Sequence, residues 1–184
     1  MKEISLHILD LVQNSIRAEA KRIDLTIEEY TDKTNDTLKV VLQDDGCGMS
    51  EEMVKSVTSP FVTTRTTRKV GLGIPLFKAG CEACGGSFKI ESEEGKGTLL
   101  TGVYRHSHID RPPLGDIADT VLLIATGNIN IRFVYTHRVN ENEYMLDTLE
   151  LKRILGEVPL DDPEVIMFIK DFLVNNESEL YGGM

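Results

Sequence analysis

The sequence predicts an α+β fold, a two-layer α/β sandwich in which helices cover one face of a mixed, mostly antiparallel sheet. Helix-like and strand-like periodicities alternate along the chain in the order helix, two strands, loops, helix and two strands. Apolar residues make up 41% of the 184 residues, which is enough for a packed core. This length fits one domain, or one domain with a small appendage.

The sequence lacks membrane and secretion signals. No apolar run approaches the roughly 20 residues that span a bilayer, which excludes a membrane-spanning protein. The N-terminus has no apolar stretch followed by a small-residue cleavage site, and we therefore expect no secretory signal. Three cysteines in a chain of 184 residues are too few for a disulfide scaffold. Together these observations predict a cytoplasmic location.

The N-terminal elements are predicted from the spacing of apolar residues. Apolar residues at steps of three and four predict a helix over about 5–20. Alternating apolar and polar residues predict strands at 23–27 and 38–42. The turn-forming residues 31–36 between the strands indicate an antiparallel pair.

The elements after the first strand pair follow a loop-rich segment, residues 44–73, which holds a short acidic helix over about 50–57. A second long helix is predicted over about 72–83, where two glycines follow it. Two further strands, 87–93 and 99–105, flank a tight glycine turn. These elements complete the predicted sandwich.

Residues 107–184 form a predicted extension to the sandwich of residues 1–106. The paired prolines of the segment 106–113 mark the boundary, because proline ends regular structure. The extension is predicted to contain a helix at 117–127, hairpin strands at 132–139 and 144–147, a helix to 155 and a last helix at about 163–174. Such a unit is too small to bury a core alone, and we expect it to pack on the first part.

The extension carries most of the net negative charge. It has 14 acidic and 6 basic residues, and the whole chain has a formal net charge of −10. A polyanionic surface repels phosphate backbones, which disfavours nucleic acid as a partner. The same surface suits a basic protein patch, and solubility explains it equally well.

Four short segments carry the residues that suggest a function. In the first, Asp10 and Asn14 are four residues apart, so one helical face presents a carboxylate and an amide to the same space. In the second, Asp44 ends a predicted strand, and its carboxylate suits an exocyclic amine. Gly46 and Gly48 after it allow the backbone to come close to a flat ring.

The third and fourth segments suit phosphates and the closure of a site. Gly71-Leu72-Gly73-Ile74 places glycines at a helix start, where free N–H groups and the helix dipole favour an anion. Gly95-Lys96-Gly97-Thr98 is a turn whose hydroxyl can close over the same ligand. The stretch 60–69 is rich in hydroxyls and cations and suits a flexible cover over phosphates. With Asn14 as a ligand for a hard cation, the combination predicts a Mg²⁺-nucleotide site, although each segment alone is also typical of a polar patch or turn.

The order and spacing of these segments resemble the Bergerat-fold ATPases: DNA gyrase, the ninety-kilodalton heat-shock chaperone, sensor histidine kinases and MutL-type mismatch-repair proteins. The run D-L-V-Q-N-S is similar to the MutL version of the asparagine motif. The runs P-F-V-T-T-R, G-L-G-I and C-G-G-S-F resemble the catalytic domain of histidine kinases. The resemblance covers about residues 6–103 and implies the Bergerat ATP-binding fold, with ATP and Mg²⁺ as cofactors.

The resemblance also implies roles for individual residues. Asn14 would bind Mg²⁺-ATP as the metal ligand, Asp44 would recognise adenine and Thr98 would support the adenine end. Asp10 stands where hydrolysing members have the glutamate that activates water, so it is the candidate catalytic base with a side chain one methylene shorter. The other candidate nucleotide-contacting residues are Gly46, Gly48, Met49, Thr63, Thr64, Arg65, Gly71, Leu72, Gly73 and Ile74.

Three functions are compatible with the sequence. The first is a stand-alone kinase like the histidine kinases or the anti-sigma-factor serine kinases, acting on a separate protein, because the six residues before His7 leave no room for a phosphoacceptor segment. The second is an ATP-hydrolysing switch of the MutL or gyrase type, in which nucleotide changes how the chain binds others or itself as a homodimer. The third is a nucleotide-binding module without catalysis.

Cys81 and Cys84 form a C-x-x-C pair on a predicted helix. Structural zinc sites use four ligands, and beyond Cys47 only scattered histidines remain to supply them. We therefore expect the pair to be small buried residues and not a metal site.

Overall fold

The computed structural model describes residues 3–59 and 71–182. Its helices and strands are α1 (Ile4–Arg17), β1 (Arg22–Thr31), β2 (Asp36–Asp44), α2 (Glu51–Val57), α3 (Gly73–Ala83), β3 (Ser87–Glu93), β4 (Gly97–Arg105), α4 (Ile117–Gly127), β5 (Arg132–Val139), β6 (Asn142–Asp147), α5 (Thr148–Leu155) and α6 (Pro163–Leu180). The strands form one sheet in the order β3-β4-β2-β1-β5-β6. Neighbouring strands are antiparallel except β1 and β5, which are parallel. The predicted α+β fold with a mixed, mostly antiparallel sheet is confirmed.

The core lies between one face of the sheet and a layer of helices. In β1, Ile23, Leu25 and Ile27 are buried on this face, and the residues between them are more exposed, as the alternation predicts. In the helix layer, α1 contacts α3 and α4, and α4 contacts α6. The buried side of α1 includes Ile8 and Val12, which recur at helical spacing.

The strands of the extension complete the same sheet. β5 pairs with β1 in parallel, with Tyr135 opposite Leu25, and β6 pairs with β5 as the predicted hairpin. The hairpin turn is tighter than predicted, because β6 begins at Asn142. Asn140 adopts a φ of 53° and closes the turn with Glu141. The sheet therefore runs without interruption from residues 1–106 into the extension.

The last helix is longer than its sequence pattern suggests. α6 continues to Leu180, beyond the predicted end near Val174. The polar run 175–179 resembles a helix end because it lacks apolar residues. The structure holds this run by hydrogen bonds from the sheet to Glu177 and by burial of Leu180.

Across residues 3–59 and 71–182, no helix combines the length and the apolar character needed to cross a bilayer.

The segment between β4 and α4 holds the start of α1. The N–H groups of Ile4 and Ser5 donate to the carbonyl oxygens of Pro113 and Leu114 at 3.0 and 2.8 Å. Glu3 at the N-cap makes no side-chain hydrogen bond to the helix. The two carbonyls therefore satisfy donors that the first turn of a helix otherwise leaves free.

A buried polar cluster joins α6 to the core face of the sheet. His137 of β5 is fully buried between two carboxylates, with Nε2 3.0 Å from Glu29 Oε1 and Nδ1 3.0 Å from Glu177 Oε2. The hydroxyl of Tyr135 donates to Glu177 at 2.9 Å, and that of Tyr144 donates to the same carboxylate. Charged groups in a core need such partners, because burial without them is costly.

The cluster shifts the ionisation of its members. Burial raises the pKa of Glu29, but hydrogen bonds from His137, Tyr181 and His106 outweigh burial and bring the pKa to about 2. Burial lowers the pKa of His137, but hydrogen bonds with Glu177 and Glu29 outweigh burial and leave the pKa above its ordinary value. The cluster therefore favours an imidazolium between two carboxylates.

We expect His137→Ala to lower the free energy of unfolding by about 3 kcal/mol at neutral pH, because Glu29 and Glu177 lose their buried cation. Urea denaturation followed by circular dichroism measures the loss. Arg153→Ala removes an exposed partner of Glu150 and is the matched control, with an expected change below about 0.5 kcal/mol.

The pH dependence of this loss follows from the two pKa shifts. The lowered pKa of Glu29 adds to the free energy of unfolding. This stabilisation is complete above pH 4.5, the ordinary pKa, and is lost as the pH falls towards about 2. The raised pKa of His137 also adds to the free energy of unfolding, fully below pH 6.5, and this stabilisation is lost as the pH rises through the raised pKa. The difference in free energy of unfolding between the parent and His137→Ala should therefore shrink at both low and high pH. A loss as small as that of Arg153→Ala at neutral pH would contradict the proposed energetics.

Candidate functional site

A cavity of about 680 Å³ opens between α1, the loop after β2, the start of α3 and one end of the sheet. We call this cavity the cleft. Apolar side chains of Leu11, Leu42 and Leu100 form part of its lining. The predicted site residues in the lining are Asn14, Asp44, Gly48, Met49, Gly71, Ile74 and Thr98. All four sequence segments therefore contribute to one cleft.

Four predicted site residues lie beside the cleft without lining it. Gly46 is buried against Ala18, and Leu72 is exposed. Gly73 begins α3 against Asp10, and a Cβ on Gly73 would lie 3.2 Å from Asp10 Cβ. Asp10 is exposed. Outside the described residues lie Thr63, Thr64 and Arg65, whose roles stay predictions.

Asp44 is fixed at the end of β2 by two hydrogen bonds. The hydroxyl of Ser15 in α1 donates to Oδ2 at 2.6 Å, and the N–H of Gly46 donates to Oδ1 at 2.9 Å. An ionised carboxylate accepts about four hydrogen bonds, so Asp44 keeps capacity for a ligand. No role for Ser15 follows from the apolar spacing of α1. Its position four residues after Leu11, on the apolar side of the helix, was the available signal, because a hydroxyl buried there needs a partner.

A polar row crosses three strands at the edge of the cleft. Asp44 of β2 pairs with Thr98 of β4, and Thr98 pairs with Ser92 of β3. Paired residues of neighbouring strands present their side chains to the same face of the sheet. Leu42 and Leu100 are the preceding pair on that face and are buried. The row therefore lies where the apolar core ends and the cleft begins.

Ser92 connects the loop after β2 to the turn before β4. Its Oγ accepts from the N–H of Met49 at 2.9 Å and donates to the carbonyl oxygen of Gly97 at 2.9 Å. The same atom lies 2.9 Å from Thr98 Oγ1. The sequence alone does not single out Ser92, because its neighbours belong to another strand and another loop.

Two glycines of these loops combine a positive φ with no room for a Cβ. Gly48 has a φ of 65°, and a Cβ there would lie 2.0 Å from the carbonyl oxygen of Glu93. Gly97 has a φ of 102°, and a Cβ there would lie 2.0 Å from the carbonyl oxygen of Asp44. A Cβ on Gly71 meets no atom of the described residues within 4 Å. Among the described residues, packing therefore requires glycine at Gly48 and Gly97 and leaves space for a Cβ at Gly71.

The cleft also offers hydrogen-bond donors. Gly71 precedes α3, whose first N–H groups have no partners within the helix. Arg17 of α1 also lines the cleft, with Nη1 3.5 Å from Asn14 Oδ1. Arg17 was not predicted from the sequence, and its position three residues after Asn14 on one helix was the available signal. Positive charge and the N–H groups at a helix start favour an anion in the cleft.

Asn14 supplies an amide oxygen to the cleft. Within residues 3–59 and 71–182, no group of three or more His, Cys, Asp or Glu side chains could hold a metal ion. A cation at Asn14 would share its coordination between the amide oxygen, water and oxygens of a ligand. Mg²⁺ bound with a phosphate ester is coordinated in this way, so the residues present fit a Mg²⁺-nucleotide.

The three cysteines are free. Cys81 and Cys84 are buried, as expected for small core residues, and burial raises the pKa of Cys81 to about 12. Cys47 is exposed in the loop after β2.

Comparison with known proteins finds sequence relatives of the first part of the chain. The family model for histidine kinase-, DNA gyrase B-, and HSP90-like ATPases matches residues 2–105. Sporulation kinase C of Bacillus subtilis is 34% identical over 92 residues, and the sensor histidine kinase ZraS of Salmonella typhi is 30% identical over 94 residues. The matches cover 50% and 51% of this chain but 21% and 20% of the relatives. The chain thus spans about a fifth of their length.

Solved structures share the fold. The MutL ATPase domain of Aquifex aeolicus complexed with ADP has a TM-score of 0.53 and 14% identity, over 85% of this chain and 68% of that chain. The N-terminal domain of a DNA repair protein has a TM-score of 0.53 and 12% identity, over 80% of this chain and 53% of that chain. At these identities the similarity concerns the fold alone, and its coverage extends into the extension.

We expect Gly48→Ala to lower the free energy of unfolding by more than about 1 kcal/mol, because alanine is strained at positive φ and its Cβ would collide with Glu93. Gly71→Ala is the matched control and should change the free energy by less than about 0.5 kcal/mol. Chemical denaturation of both variants measures the difference. Equal losses at the two glycines would contradict the packing described for the loop after β2.

Proposed function

Because the chain belongs to the family of histidine kinase-, DNA gyrase B- and HSP90-like ATPases, we propose that the cleft binds Mg²⁺-ATP. The observation that carries the proposal is that one cavity is lined by both Asp44 and Gly71. The base would lie at the Asp44 end, and the triphosphate would extend towards the start of α3. The cavity volume of about 680 Å³ is typical of sites for small molecules and cofactors.

At the base end, the carboxylate of Asp44 suits the exocyclic amine of adenine. An ionised carboxylate only accepts hydrogen bonds, and the donors Ser15 and Gly46 hold it in place. Gly48 lets the backbone approach a flat ring, and Thr98 stands beside Asp44 in the sheet register. The base would be held by a fixed acceptor at one edge and apolar side chains around it.

At the opposite end, the triphosphate would meet Arg17 and the N–H groups that begin α3. Both favour negative charge. Asn14 would hold Mg²⁺, which when bound neutralises phosphate charge and polarises the phosphoryl group. Gly71 lines the cleft, and a glycine there suits a close contact between its backbone and phosphate.

We propose further that bound ATP serves phosphoryl transfer to a separate protein. The relatives named above are kinases by name, and phosphoryl transfer depends mostly on positioning and charge neutralisation. An acceptor atom of the partner would form a bond to the γ-phosphorus, the bond to the bridging oxygen between the β- and γ-phosphorus atoms would break, and ADP would leave. Asp10 is exposed beside Gly73 and would receive the proton of the acceptor.

In this proposal residues 1–106 hold the nucleotide and residues 107–184 dock the partner protein. The extension has 14 acidic and 6 basic residues, so a basic patch on the partner would complement it. The three free cysteines suit a reducing compartment, and we place the protein in the cytoplasm.

A second candidate function is an ATP-hydrolysing switch of the MutL type. The exposure of Asp10 favours it, because the carboxylate is open to water as well as to a partner. Water would replace the acceptor atom of the partner, and the nucleotide state would change how the chain binds other chains or a second copy of itself. The two functions share the Mg²⁺-ATP site and differ in the acceptor.

We expect Asp44→Asn to weaken ATP binding by about 100-fold or more, because the amide presents a donor where the adenine amine needs an acceptor. Isothermal titration calorimetry with Mg²⁺-ATP measures the Kd. Asp45→Asn is the matched control, since Asp45 accepts from the N–H groups of Lys21 and Arg22 and does not line the cleft. Its Kd should stay within about threefold of the parent value. Parent-like affinity of Asp44→Asn would refute the adenine assignment.

We expect Asp10→Asn to slow the reaction by about 100-fold while ATP affinity stays within about threefold, because Asp10 would accept a proton but does not line the cleft. With γ-labelled ATP, label on a co-purified protein reports transfer, and free phosphate reports hydrolysis. Asp119→Asn, at an exposed position of α4, is the control. An unchanged rate in Asp10→Asn would rule out Asp10 as the base. Steady phosphate release without labelled protein would favour the switch over the kinase.

A further inference from the structure

The hydroxyl of Ser92 has three neighbours and only one hydrogen. It lies 2.9 Å from the N–H of Met49, from the carbonyl oxygen of Gly97 and from Thr98 Oγ1. A hydroxyl donates once and accepts through two lone pairs. The N–H of Met49 can only donate, and the carbonyl of Gly97 can only accept. The bond between the two hydroxyls is the one whose direction is free to vary.

One arrangement of hydrogens makes all three bonds. Ser92 donates its hydrogen to Gly97 and accepts from Met49, so its second lone pair must accept the hydrogen of Thr98. In the opposite arrangement Ser92 donates to Thr98, and the contact between Ser92 and Gly97 has no hydrogen. That arrangement has one hydrogen bond fewer, and a partly buried bond contributes to stability. The hydrogen of Thr98 is therefore committed to Ser92.

This arrangement limits the hydrogen bonds that Thr98 and Asp44 can offer a ligand in the cleft. Thr98 Oγ1 is left with lone pairs only. Asp44, the neighbour of Thr98 in the register, is also an acceptor, and its carboxylate is held by donors from Ser15 and Gly46. Both residues line the cleft. Two neighbouring positions of the sheet thus present acceptor oxygens to a ligand.

We propose that Ser92 is a positioning residue for nucleotide specificity, which makes the base end select a six-amino purine over a six-oxo purine. The inference rests on the proposed nucleotide site. A six-amino group donates hydrogens to acceptor oxygens, whereas a six-oxo group turns a lone pair towards them. Without Ser92, the Thr98 hydroxyl rotates and donates its hydrogen to a six-oxo group.

The test compares the dissociation constants of Mg²⁺-ATP and Mg²⁺-inosine triphosphate, whose bases are six-amino and six-oxo purines. The parent should bind ATP more tightly. Ser92→Ala should lower the ratio of the inosine triphosphate Kd to the ATP Kd by about tenfold, because a contact between two acceptors becomes a hydrogen bond. A purely structural role of Ser92 would weaken both nucleotides alike and leave the ratio unchanged.

Three further variants separate the role of Ser92 from general damage. Ser92→Thr keeps a hydroxyl and should keep the parent ratio. Ser87→Ala removes an exposed hydroxyl at the other end of β3 and should also keep it. Thr98→Val should lower the ratio, and adding Ser92→Ala to Thr98→Val should lower it no further, because Ser92 acts through Thr98.

The outcomes distinguish this inference from the proposed function beneath it. A parent that binds ATP tightly and a Ser92→Ala variant with the same ratio would overturn the role of Ser92 and leave the nucleotide site standing. A parent that binds neither nucleotide would overturn both. Should Ser92→Ala fail to fold, Thr98→Val decides: a lowered ratio supports the inference, and an unchanged ratio overturns it.

Discussion

The hydrogen bond from Ser15 to Asp44 joins the helix layer to the end of the sheet, and the candidate site depends on it. At 2.6 Å and partly buried, it belongs to the stronger class of hydrogen bonds that carboxylates accept. α1 carries Asn14 and Arg17 next to Ser15, while β2 carries Asp44 at its end. The bond therefore fixes the part of α1 that lines the cleft relative to the end of β2. A nucleotide that touches both elements needs their relative position to be fixed before it binds.

The extension supports the same elements from the other side. The carbonyls of Pro113 and Leu114 hold the first turn of α1, and β5 pairs with β1 in parallel. The cluster around His137 fastens α6 to the sheet through carboxylates on β1 and α6. Residues 107–184 and the elements that carry the cleft thus share one packed core. A partner that binds the extension would therefore bind a part of the molecule that packs directly against α1.

The fold could be predicted from the sequence wherever a single element buries one apolar side. Periodicity was sufficient for α1, β1 and β2. The sequence could not reveal contacts that depend on the register of several strands. Ser92 meets Thr98 only because β3 and β4 pair in that register. The full length of α6 depends on partners far away in sequence, such as the hydroxyl of Tyr135, which lies 42 residues from Glu177.

The central claim is that one cleft receives the base at Asp44 and the triphosphate at the start of α3. Nuclear magnetic resonance titration of backbone amides tests it most directly, because Gly48 and Thr98 report on one end and Gly71 and Ile74 on the other. We expect Mg²⁺-ATP to shift the signals of both pairs with a single Kd, and adenosine to shift only Gly48 and Thr98. Saturation with Mg²⁺-ATP that leaves either pair unshifted would contradict the claim.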